Sequence, residues 1–451
     1  MSRDALSKSD TLHHLHPFVD PQQLARQGVR MIVKADGVYV EDAEGHRYLD
    51  GMAGLWCVQV GYGRRELVEA ARRQLETLPY YNTFFYSTTE PLAELVEALR
   101  ALTPGDLDTF FFANSGSEAI DSAVRLVRQY WSLRGQPERR AIIGREFGYH
   151  GSTLASASVG GMARMHAQGG LPLPDFHHVL PPYPFEYGRG EDPEAFGRRA
   201  AAALEQKILE LGPERVAAFF GEPLMGAGGV IVPPASYWPA VQEICRRHGV
   251  LLLADEVICG FGRTGRDWGS QTFGIEPDLM TMAKGLTSGY VPMSALALSE
   301  PIAEVLRRGG VLQHGFTYSG HPVAAAVALA NLQLIEREGL AARAGGAIGQ
   351  RFQQGIRSLE SSPLVGETRG VGLIAGVELV RDRETGARFE PAGHAASRAL
   401  TLCLEEGLIV RSIREGLAIC PPLTITSEEI DELVAKLARA LSRLADELVD
   451  A

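Results

Sequence analysis

The chain has 451 residues, 45% of them hydrophobic and 22% charged, which is ordinary for a globular protein of roughly two or three domains. A formal net charge of −11 argues against nucleic acid and against anionic membrane surfaces as partners. The first ten residues lack the apolar core of a signal peptide, no apolar run is long enough to span a bilayer, and the five cysteines have no paired spacing. We therefore expect a cytoplasmic protein without disulfides.

The predicted elements begin with a hairpin and continue with alternating strands and helices. In GVYVEDAEGHRYLD (37–50), two strand patterns flank a turn at Glu44-Gly45. Further on, short apolar runs alternate with helical patterns such as residues 237–249, which predicts an α/β layer on a mostly parallel sheet. The runs predicted as strands are FFFA (110–113), AIIG (141–144), VAAFF (216–220), LLLA (251–254), LMTMA (279–283) and ALAL (295–298).

The last third of the chain has a different pattern. A helical stretch is followed by the predicted strand LIAGVELV (373–380) and by a long terminal helix that begins near Ser427, with Glu428 and Glu429 suited to its first turn. The simplest division of the chain is a large central domain of residues 61–335 and a small domain assembled from residues 1–60 and 336–451.

The first candidate site follows the strand FFFA. Ser115 and Glu118 have the spacing of a capping box at the start of an amphipathic helix. Gly116 leaves room for close backbone approach, and a helix N-terminus offers free N–H groups to an anion. The segment is a candidate phosphate cradle, but taken alone it fits an ordinary helix cap better.

The second candidate lies in LLLADEVICGFGRTG (251–265), where a predicted strand ends in Asp255 and Glu256. An acid at the carboxyl edge of such a sheet can pair with a protonated ring nitrogen of a cofactor. Capping a helix or pairing with an arginine explains Asp255 equally well. The following GFGRTG formally fits the dinucleotide fingerprint, but no helix pattern and no acid about 20 residues further on accompany it. We interpret GFGRTG as a structured loop. The hypothesis of an NAD-dependent oxidoreductase would be supported by this motif alone.

The third candidate is Lys284, which directly follows the predicted strand LMTMA. Most lysines are simply solvated, but a desolvated lysine has a lowered pKa and can attack a carbonyl group as an amine. A phosphate cradle, an acid for a ring nitrogen and a lysine that forms a Schiff base are together the anchors that pyridoxal phosphate requires. The sequence does not indicate a metal site.

At these residues the sequence resembles the class III pyridoxal-phosphate aminotransferases, most closely the pyruvate-dependent ω-amine transaminases, which include the putrescine–pyruvate type. The resemblance covers nearly the whole chain. Its characteristic segments are HHLHPF (13–18), DGMAGLWCVQVGYG (50–63), LPYYNTFF (78–85), GYHGST (148–153), GAGGVIVPP (226–234), ADEVICGFGRTG (254–265), AKGLTSGY (283–290) and HGFTYSGHPVAAA (314–326). It implies the α/β scaffold called fold type I, with a mostly parallel seven-stranded sheet in the large domain and a small α+β domain from both chain ends.

The resemblance also implies roles at the cofactor. Lys284 would bond to the cofactor and move a proton, and Asp255 would keep the pyridine nitrogen protonated. The other implied contacts are phosphate binding by Ser115, Gly116 and Ser117, ring contacts from Tyr149 and Val257, and further contacts from His150, Glu222 and Thr317. Thr317 would reach the phosphate from the partner subunit, which implies a homodimer with shared active sites or a tetramer of such dimers.

On the substrate side, the resemblance implies an amine pocket of Trp56, Phe84 and Phe18, although core packing also explains an aromatic residue. Arg411 matches the family's mobile arginine and would bind the carboxylate of pyruvate, with Arg414 as a nearby competitor. Where the family pattern has glutamine this chain has Met225, which could change the pocket wall or merely fill it.

The predicted reaction moves the amino group of a primary amine to pyruvate, giving alanine and an aldehyde or ketone. The donor could be a diamine, an ω-amino acid or an aryl-alkyl amine. The alternatives within the same family are an ω-amino acid:2-oxoglutarate aminotransferase, a racemase and an aminomutase, which use the same cofactor anchors.

Overall fold

The computed structural model describes residues 2–449. The strands are β1 (Ile32–Asp36), β2 (Tyr39–Asp42), β3 (Arg47–Asp50), β4 (Leu107–Ala113), β5 (Ala141–Arg145), β6 (Phe176–Val179), β7 (Val216–Gly221), β8 (Leu251–Asp255), β9 (Leu279–Met282), β10 (Ser294–Ser299), β11 (Val365–Val371), β12 (Ile374–Leu379), β13 (Leu408–Ile409), β14 (Arg411–Ile413) and β15 (Gly416–Ile419).

The α-helices are α1 (Arg3–His13), α2 (Pro21–Gln27), α3 (Ala53–Trp56), α4 (Arg65–Thr77), α5 (Glu90–Leu102), α6 (Gly116–Leu133), α7 (Leu154–Val159), α8 (Ala163–His166), α9 (Pro184–Tyr187), α10 (Pro193–Leu211), α11 (Tyr237–His248), α12 (Gly269–Phe273), α13 (Glu300–Arg308), α14 (Pro322–Arg337), α15 (Leu340–Gly345), α16 (Ala347–Ser358), α17 (His394–Glu405) and α18 (Ser427–Val449). Short 3-10 helices lie at Pro213–Arg215, Lys284–Leu286 and Leu359–Ser361.

The central sheet has seven strands in the order β4-β10-β9-β8-β7-β5-β6. The pairs from β9 to β6 are parallel, whereas β10 is antiparallel to both of its neighbours. This confirms the mostly parallel α/β sheet and all six strands predicted from apolar runs. The sequence pattern missed β6, because His177 and His178 interrupt a four-residue edge strand.

Helices cover both faces of the central sheet. In β7, Phe219 packs against α10 and α11, whereas its neighbour Phe220 packs against α6 on the opposite face. Successive side chains of a strand point to opposite faces, so a strand covered on both sides is apolar throughout. This is why β7 and β8 are continuous apolar runs.

Two smaller four-stranded sheets have the orders β1-β2-β3-β13 and β11-β12-β15-β14. The predicted hairpin at 37–50 is present as β2 and β3, and β13 from the C-terminal part of the chain pairs parallel with β3. The two ends of the chain therefore meet in one sheet. The proposed division into domains at residues 60 and 335 stays a prediction.

Helix ends follow the predicted chemistry with one difference. Helix α11 ends at Gly249, which has the left-handed conformation that favours glycine. Helix α18 begins at Ser427, but its cap is the preceding residue: the Thr426 hydroxyl accepts the N–H of Glu429, and the Glu429 carboxylate accepts the N–H of Thr426.

All five cysteines lie among the described residues and are free, as expected. Within residues 2–449, no helix combines the length and the apolar character that a membrane span requires.

Candidate active site

The carboxyl ends of the parallel strands surround a cavity with about 520 Å³ of empty space. In an open α/β sheet this edge is where ligands bind, because the loops leaving neighbouring strands diverge there. The cavity is lined by Gly116, Ser117, Tyr149, His150, Gly151, Glu222, Asp255, Val257, Ile258, Ala283 and Lys284. The three regions that the sequence marked separately thus meet in one place.

Asp255 is the last residue of β8 and is buried in the cavity wall. Its Oδ2 accepts a hydrogen bond from His150 Nδ1 at 2.6 Å, and its Oδ1 accepts from the Thr281 hydroxyl at 3.0 Å and from the N–H of Val257 at 3.2 Å. The other ring nitrogen of His150, Nε2, is buried without a partner among the described residues. Donors on both oxygens fix the orientation of the carboxylate.

The adjacent acid, Glu256, has a different role. Its carboxylate accepts the N–H groups of Gly269 at 2.9 Å and Ser270 at 2.5 Å, at the start of α12. It is fully buried, and burial raises its pKa to about 7, although the bonds from the start of α12 lower it in part. Of the two carboxylates that end the strand, one faces the cavity and the other caps a helix.

The raised pKa of Glu256 predicts a pH-dependent stability difference. Between its ordinary pKa of 4.5 and about 7, the folded protein keeps a proton that the unfolded chain has lost, so this group lowers the free energy of unfolding as the pH rises. Glu256→Gln removes that dependence. We expect the variant to gain roughly 2–3 kcal/mol relative to the parent protein between pH 5 and pH 8.

Thermal midpoints of both proteins at several pH values check this prediction. Glu276→Gln is the matched control, because the Glu276 side chain is largely exposed. A parallel pH dependence for the parent and Glu256→Gln would show that Glu256 does not titrate in this interval.

Lys284 begins the short 3-10 helix after β9 and has a φ of +41°, a conformation that costs free energy for a residue other than glycine. Its amine lies 5.8 Å from the centre of the Trp56 ring. Burial lowers the pKa of the Lys284 amine, and the charges of Asp255, Cys57 and Glu222 oppose that shift. A lysine with a lowered pKa supplies more neutral amine, which is the nucleophilic form.

The N-terminus of α6 borders the same cavity. The Ser115 hydroxyl accepts the N–H of Glu118 at 3.2 Å, as the capping box predicts. The second bond of the box is different, because the Glu118 carboxylate accepts from the backbone and side chain of Asn114 rather than from Ser115. The N–H groups of Gly116 and Ser117, the first two residues of the helix, have no partner within the helix and are available to an anion.

Glycines make the anion-binding end of the cavity possible. A Cβ on Gly116 would lie 3.3 Å from both methyl groups of Val257, and a Cβ on Gly151 would lie 2.5 Å from the Ser117 hydroxyl oxygen. Gly151 also has a φ of +139°. Larger residues at these positions would fill the space beside the helix N-terminus.

Glu222 and Tyr149 complete the wall of the cavity. The Glu222 carboxylate accepts the N–H of Tyr149 at 3.3 Å and that of Gly226 at 2.8 Å, and burial raises its pKa. The Tyr149 hydroxyl lies 3.2 Å from the hydroxyl of Ser152. Val257 lies on the strand-end loop that also borders the cavity.

The predicted substrate residues fall into two groups. Trp56 is 1% exposed, and its ring centre lies 5.8 Å from the Lys284 amine and 5.0 Å from the guanidinium carbon of Arg411. Phe18 is 71% exposed and meets Tyr149 edge to face at 6.3 Å. Trp56 and Phe18 therefore lie beside two residues that line the cavity, Lys284 and Tyr149, and Arg411 lies beside Trp56.

Thr317 and Phe84 lie elsewhere, on an exposed surface. The carbonyl of Thr317 accepts a hydrogen bond from the Tyr80 hydroxyl at 2.6 Å, and the Phe84 ring packs on Gly315. Neither side chain lines the cavity of its own chain. Any role in an active site would therefore require a second copy of the protein.

Three other sequence questions have structural answers. GFGRTG is a loop: Arg263 is buried and donates to the carbonyls of Leu373 and Pro421 at 2.9 and 2.5 Å, which ties this loop to the C-terminal part of the chain. Met225 is buried against Tyr183 and away from the cavity lining. Thr281, which holds Asp255, was missed by sequence reasoning, although it is the one polar residue in the apolar strand LMTM.

The cavity fits pyridoxal phosphate. It combines a buried amine of lowered pKa, a carboxylate oriented by two polar side chains, and a glycine-lined space at a helix N-terminus. These groups match the aldehyde, the ring nitrogen and the phosphate of that cofactor.

Comparison with known proteins identifies the family. The family Aminotransferase class-III matches residues 23–441. This chain belongs to the class III aminotransferases. It is therefore a pyridoxal-phosphate-dependent aminotransferase, as the resemblance implied.

The relatives of this aminotransferase cover almost its full length. It is 49% identical over 433 residues to a putrescine–pyruvate aminotransferase of Pseudomonas aeruginosa, covering 96% of this chain and 95% of the relative. It is 41% identical over 431 residues to a diaminobutyrate–2-oxoglutarate transaminase of Halomonas elongata, covering 93% of this chain and 91% of the relative.

Solved structures of ω-transaminases share its fold. An ω-transaminase from Pseudomonas jessenii in complex with PMP has a TM-score of 0.96 at 44% identity, covering 98% of each chain. An (S)-enantioselective ω-transaminase from Thermomicrobium roseum has a TM-score of 0.95 at 45% identity, covering 98% of this chain and 99% of the other.

Proposed function

We propose that this aminotransferase moves the amino group of a primary amine to pyruvate, giving alanine and an aldehyde or ketone. The observation that carries the proposal is the place of Arg411. Its guanidinium carbon lies 5.0 Å from the centre of the same Trp56 ring that the Lys284 amine approaches to 5.8 Å, and no acidic side chain among residues 2–449 forms an ion pair with it. A guanidinium without an acidic partner is suited to bind the carboxylate of an oxo acid. The 49% identical putrescine–pyruvate aminotransferase supports the same acceptor.

The residues around the cavity divide the work of the reaction. Bound pyridoxal phosphate supplies a carbonyl carbon that takes up an amino group and a protonated ring that accepts electrons. Lys284 would bond to the cofactor and then carry the proton to and from the substrate carbon, because its amine is buried and has a lowered pKa. Asp255, oriented by His150 and Thr281, would hold the proton on the ring nitrogen.

The remaining cavity residues would position the cofactor. Ser115, Gly116 and Ser117, at the N-terminus of α6, would hold the phosphate through backbone N–H groups and hydroxyls. Tyr149 and Val257 would cover the two faces of the ring. The buried Glu222 would form the wall beside Tyr149, where the two residues already share a hydrogen bond.

The donor in this proposal is a primary amine, namely a diamine, an ω-amino acid or an aryl-alkyl amine. Trp56 and Phe18 would provide aromatic surface for it. Arg411 stacks on Trp56 but has no acidic partner among residues 2–449, so its guanidinium would be able to approach a carboxylate or move aside for an amine without one.

We also propose a homodimer that shares its active sites. Thr317 and Phe84 lie on a surface with unusually exposed aromatic residues, on which Phe85 is 87% exposed and Tyr86 is fully exposed. Exposed apolar patches of this kind mark interaction sites. A second copy covering this surface would bring Thr317 to the phosphate and Phe84 to the amine pocket of the partner subunit.

Arg411→Gln is expected to raise the KM for pyruvate about 10- to 100-fold, because it removes a charge-assisted interaction with the carboxylate of the acceptor. The half-reaction with an amine that lacks a carboxylate should change far less. The test is to measure both half-reactions separately in Arg411→Gln and in the control Arg246→Gln, which alters a largely exposed arginine. An unchanged KM for pyruvate would show that the acceptor does not bind Arg411. If the parent enzyme turns over faster with 2-oxoglutarate than with pyruvate, 2-oxoglutarate and not pyruvate is the acceptor.

A further inference from the structure

Three residues beyond Arg411, the turn between β14 and β15 contains a backbone conformation that is unfavourable for its residue. The strands pair in the register Arg411↔Ala418 and Ile413↔Gly416, so the turn consists of Arg414 and Glu415. Arg414 has a φ of +54°, in the left-handed region that favours glycine. Such a conformation persists in a larger residue only where the surroundings fix it.

The Arg414 side chain shows what fixes the turn. Its guanidinium carbon lies 3.8 Å from the centre of the Phe147 ring and 5.4 Å from that of Tyr183. Its Nη2 forms an ion pair with Glu186 at 3.3 Å. The guanidinium is therefore both stacked and paired with an acid, whereas that of Arg411 is stacked on Trp56 and has no acidic partner among residues 2–449.

The aromatic partner of Arg414, Phe147, lies on the loop after β5 that also carries the cavity residue Tyr149. Phe147 has a φ of +63° and is the second residue after β5. It precedes the cavity residue Tyr149 by two residues. The N–H of Phe147 donates to the carbonyl of Gly161 at 3.0 Å, which holds this loop in place. Arg414 thus connects the hairpin that carries Arg411 to the loop that carries Tyr149.

We propose that Arg414 is a positioning residue for the oxo acid: by stacking on Phe147 and pairing with Glu186, it holds the β14–β15 hairpin where Arg411 lies over Trp56. This inference rests on the proposed role of Arg411 in binding pyruvate. It separates the functions of the two neighbouring arginines, one binding the acceptor carboxylate and the other fixing the place of the first. An amine without a carboxylate does not bind Arg411. Loss of Arg414 should therefore weaken the binding of the oxo acid and not that of the amine.

The test variant is Arg414→Gly, because glycine accepts the φ of this turn and removes the side chain without straining the backbone. We expect the KM for pyruvate and the dissociation constant of propionate, an inert carboxylate measured by calorimetry on the holoenzyme, both to rise at least about fivefold, as misplacement of a binding group predicts. The KM for an uncharged-tail amine should change less than about twofold. Arg414→Lys keeps a cation near Glu186 but loses the planar stack on Phe147, so its effect should be intermediate.

Arg411→Gln, measured in parallel, separates the two hypotheses. Suppose that Arg411→Gln weakens the binding of pyruvate and propionate. If Arg414→Gly then leaves the binding of both unchanged, or weakens the binding of amine and acceptor equally, the positioning role of Arg414 is overturned and the proposed function stands. If Arg411→Gln leaves both unchanged, the proposed acceptor site is wrong and the role of Arg414 falls with it. A thermal midpoint of Arg414→Gly within a few degrees of the parent excludes general unfolding as the cause of an acceptor-specific loss.

Discussion

Lys284→Ala is expected to abolish multiple-turnover transamination, lowering the turnover rate by at least about 10⁴-fold, since a single proton-transfer group commonly contributes 10²–10⁴ and the covalent link is lost as well. Lys284 is the one lysine that lines the described cavity, and no neighbouring amine can replace it. Stability should not fall with activity, because burial of an amine with a lowered pKa is itself unfavourable. The measurement is steady-state turnover with an amine and pyruvate, together with the thermal midpoint.

The control for this variant is Lys207→Ala, which removes a lysine that pairs with Glu210 on the surface of α10. It should leave turnover unchanged. Lys284→Ala should still bind pyridoxal phosphate without a covalent bond, so the cofactor should be removable by dialysis where that of Lys207→Ala is not. Retained turnover in Lys284→Ala would contradict the account of the active site.

Asp255→Asn is expected to slow the amine half-reaction about 10²- to 10³-fold, the range seen when one preorganised electrostatic contact is removed from a reacting centre. Asparagine preserves the shape of the side chain but not its charge, so it cannot hold a proton on the ring nitrogen. The hydrogen bond from His150 at 2.6 Å would also lose its charged acceptor. Single-turnover kinetics with saturating amine measure the effect.

Glu256→Gln is the matched control for Asp255→Asn, because the two acids are adjacent in sequence and both are buried. The Glu256 carboxylate caps α12 and does not line the cavity, so this variant should change the pH dependence of stability and leave the single-turnover rate within about threefold. Equal slowing by the two variants would show that the effect comes from disturbed packing rather than from the charge at the cavity.

The sequence alone pointed to the candidate residues that the structure brings together, because each stands where a regular pattern ends. Asp255 and Lys284 follow continuous apolar strands, and Ser115 begins an amphipathic helix. Parallel strands bring their carboxyl ends to one edge of the sheet, so residues that follow such strands are expected to lie close together. What the pattern could not predict is which of Asp255 and Glu256 faces the cavity, because that depends on what covers each side of the sheet.

Features set by long-range packing were beyond reach of the sequence pattern. The strand β6 is short and contains two histidines, so its place at the sheet edge follows from its neighbour β5 rather than from its composition. The residue pattern around Arg411 and Arg414 does not show what either side chain contacts, and only the hairpin turn separates a guanidinium over Trp56 from one over Phe147. In the proposed homodimer Thr317 and Phe84 act in the active site of the partner subunit, and no pattern within one chain shows how a second copy is placed.

The most direct test of the central claim is the visible absorption spectrum of the purified holoenzyme, titrated first with putrescine and then with pyruvate. We expect the yellow absorption of the bound cofactor to disappear with the amine and to return with pyruvate, with alanine formed in equal amount. If the band persists with putrescine and also with β-alanine and aryl-alkyl amines, the amine:pyruvate assignment is wrong, and another reaction of this family must be sought.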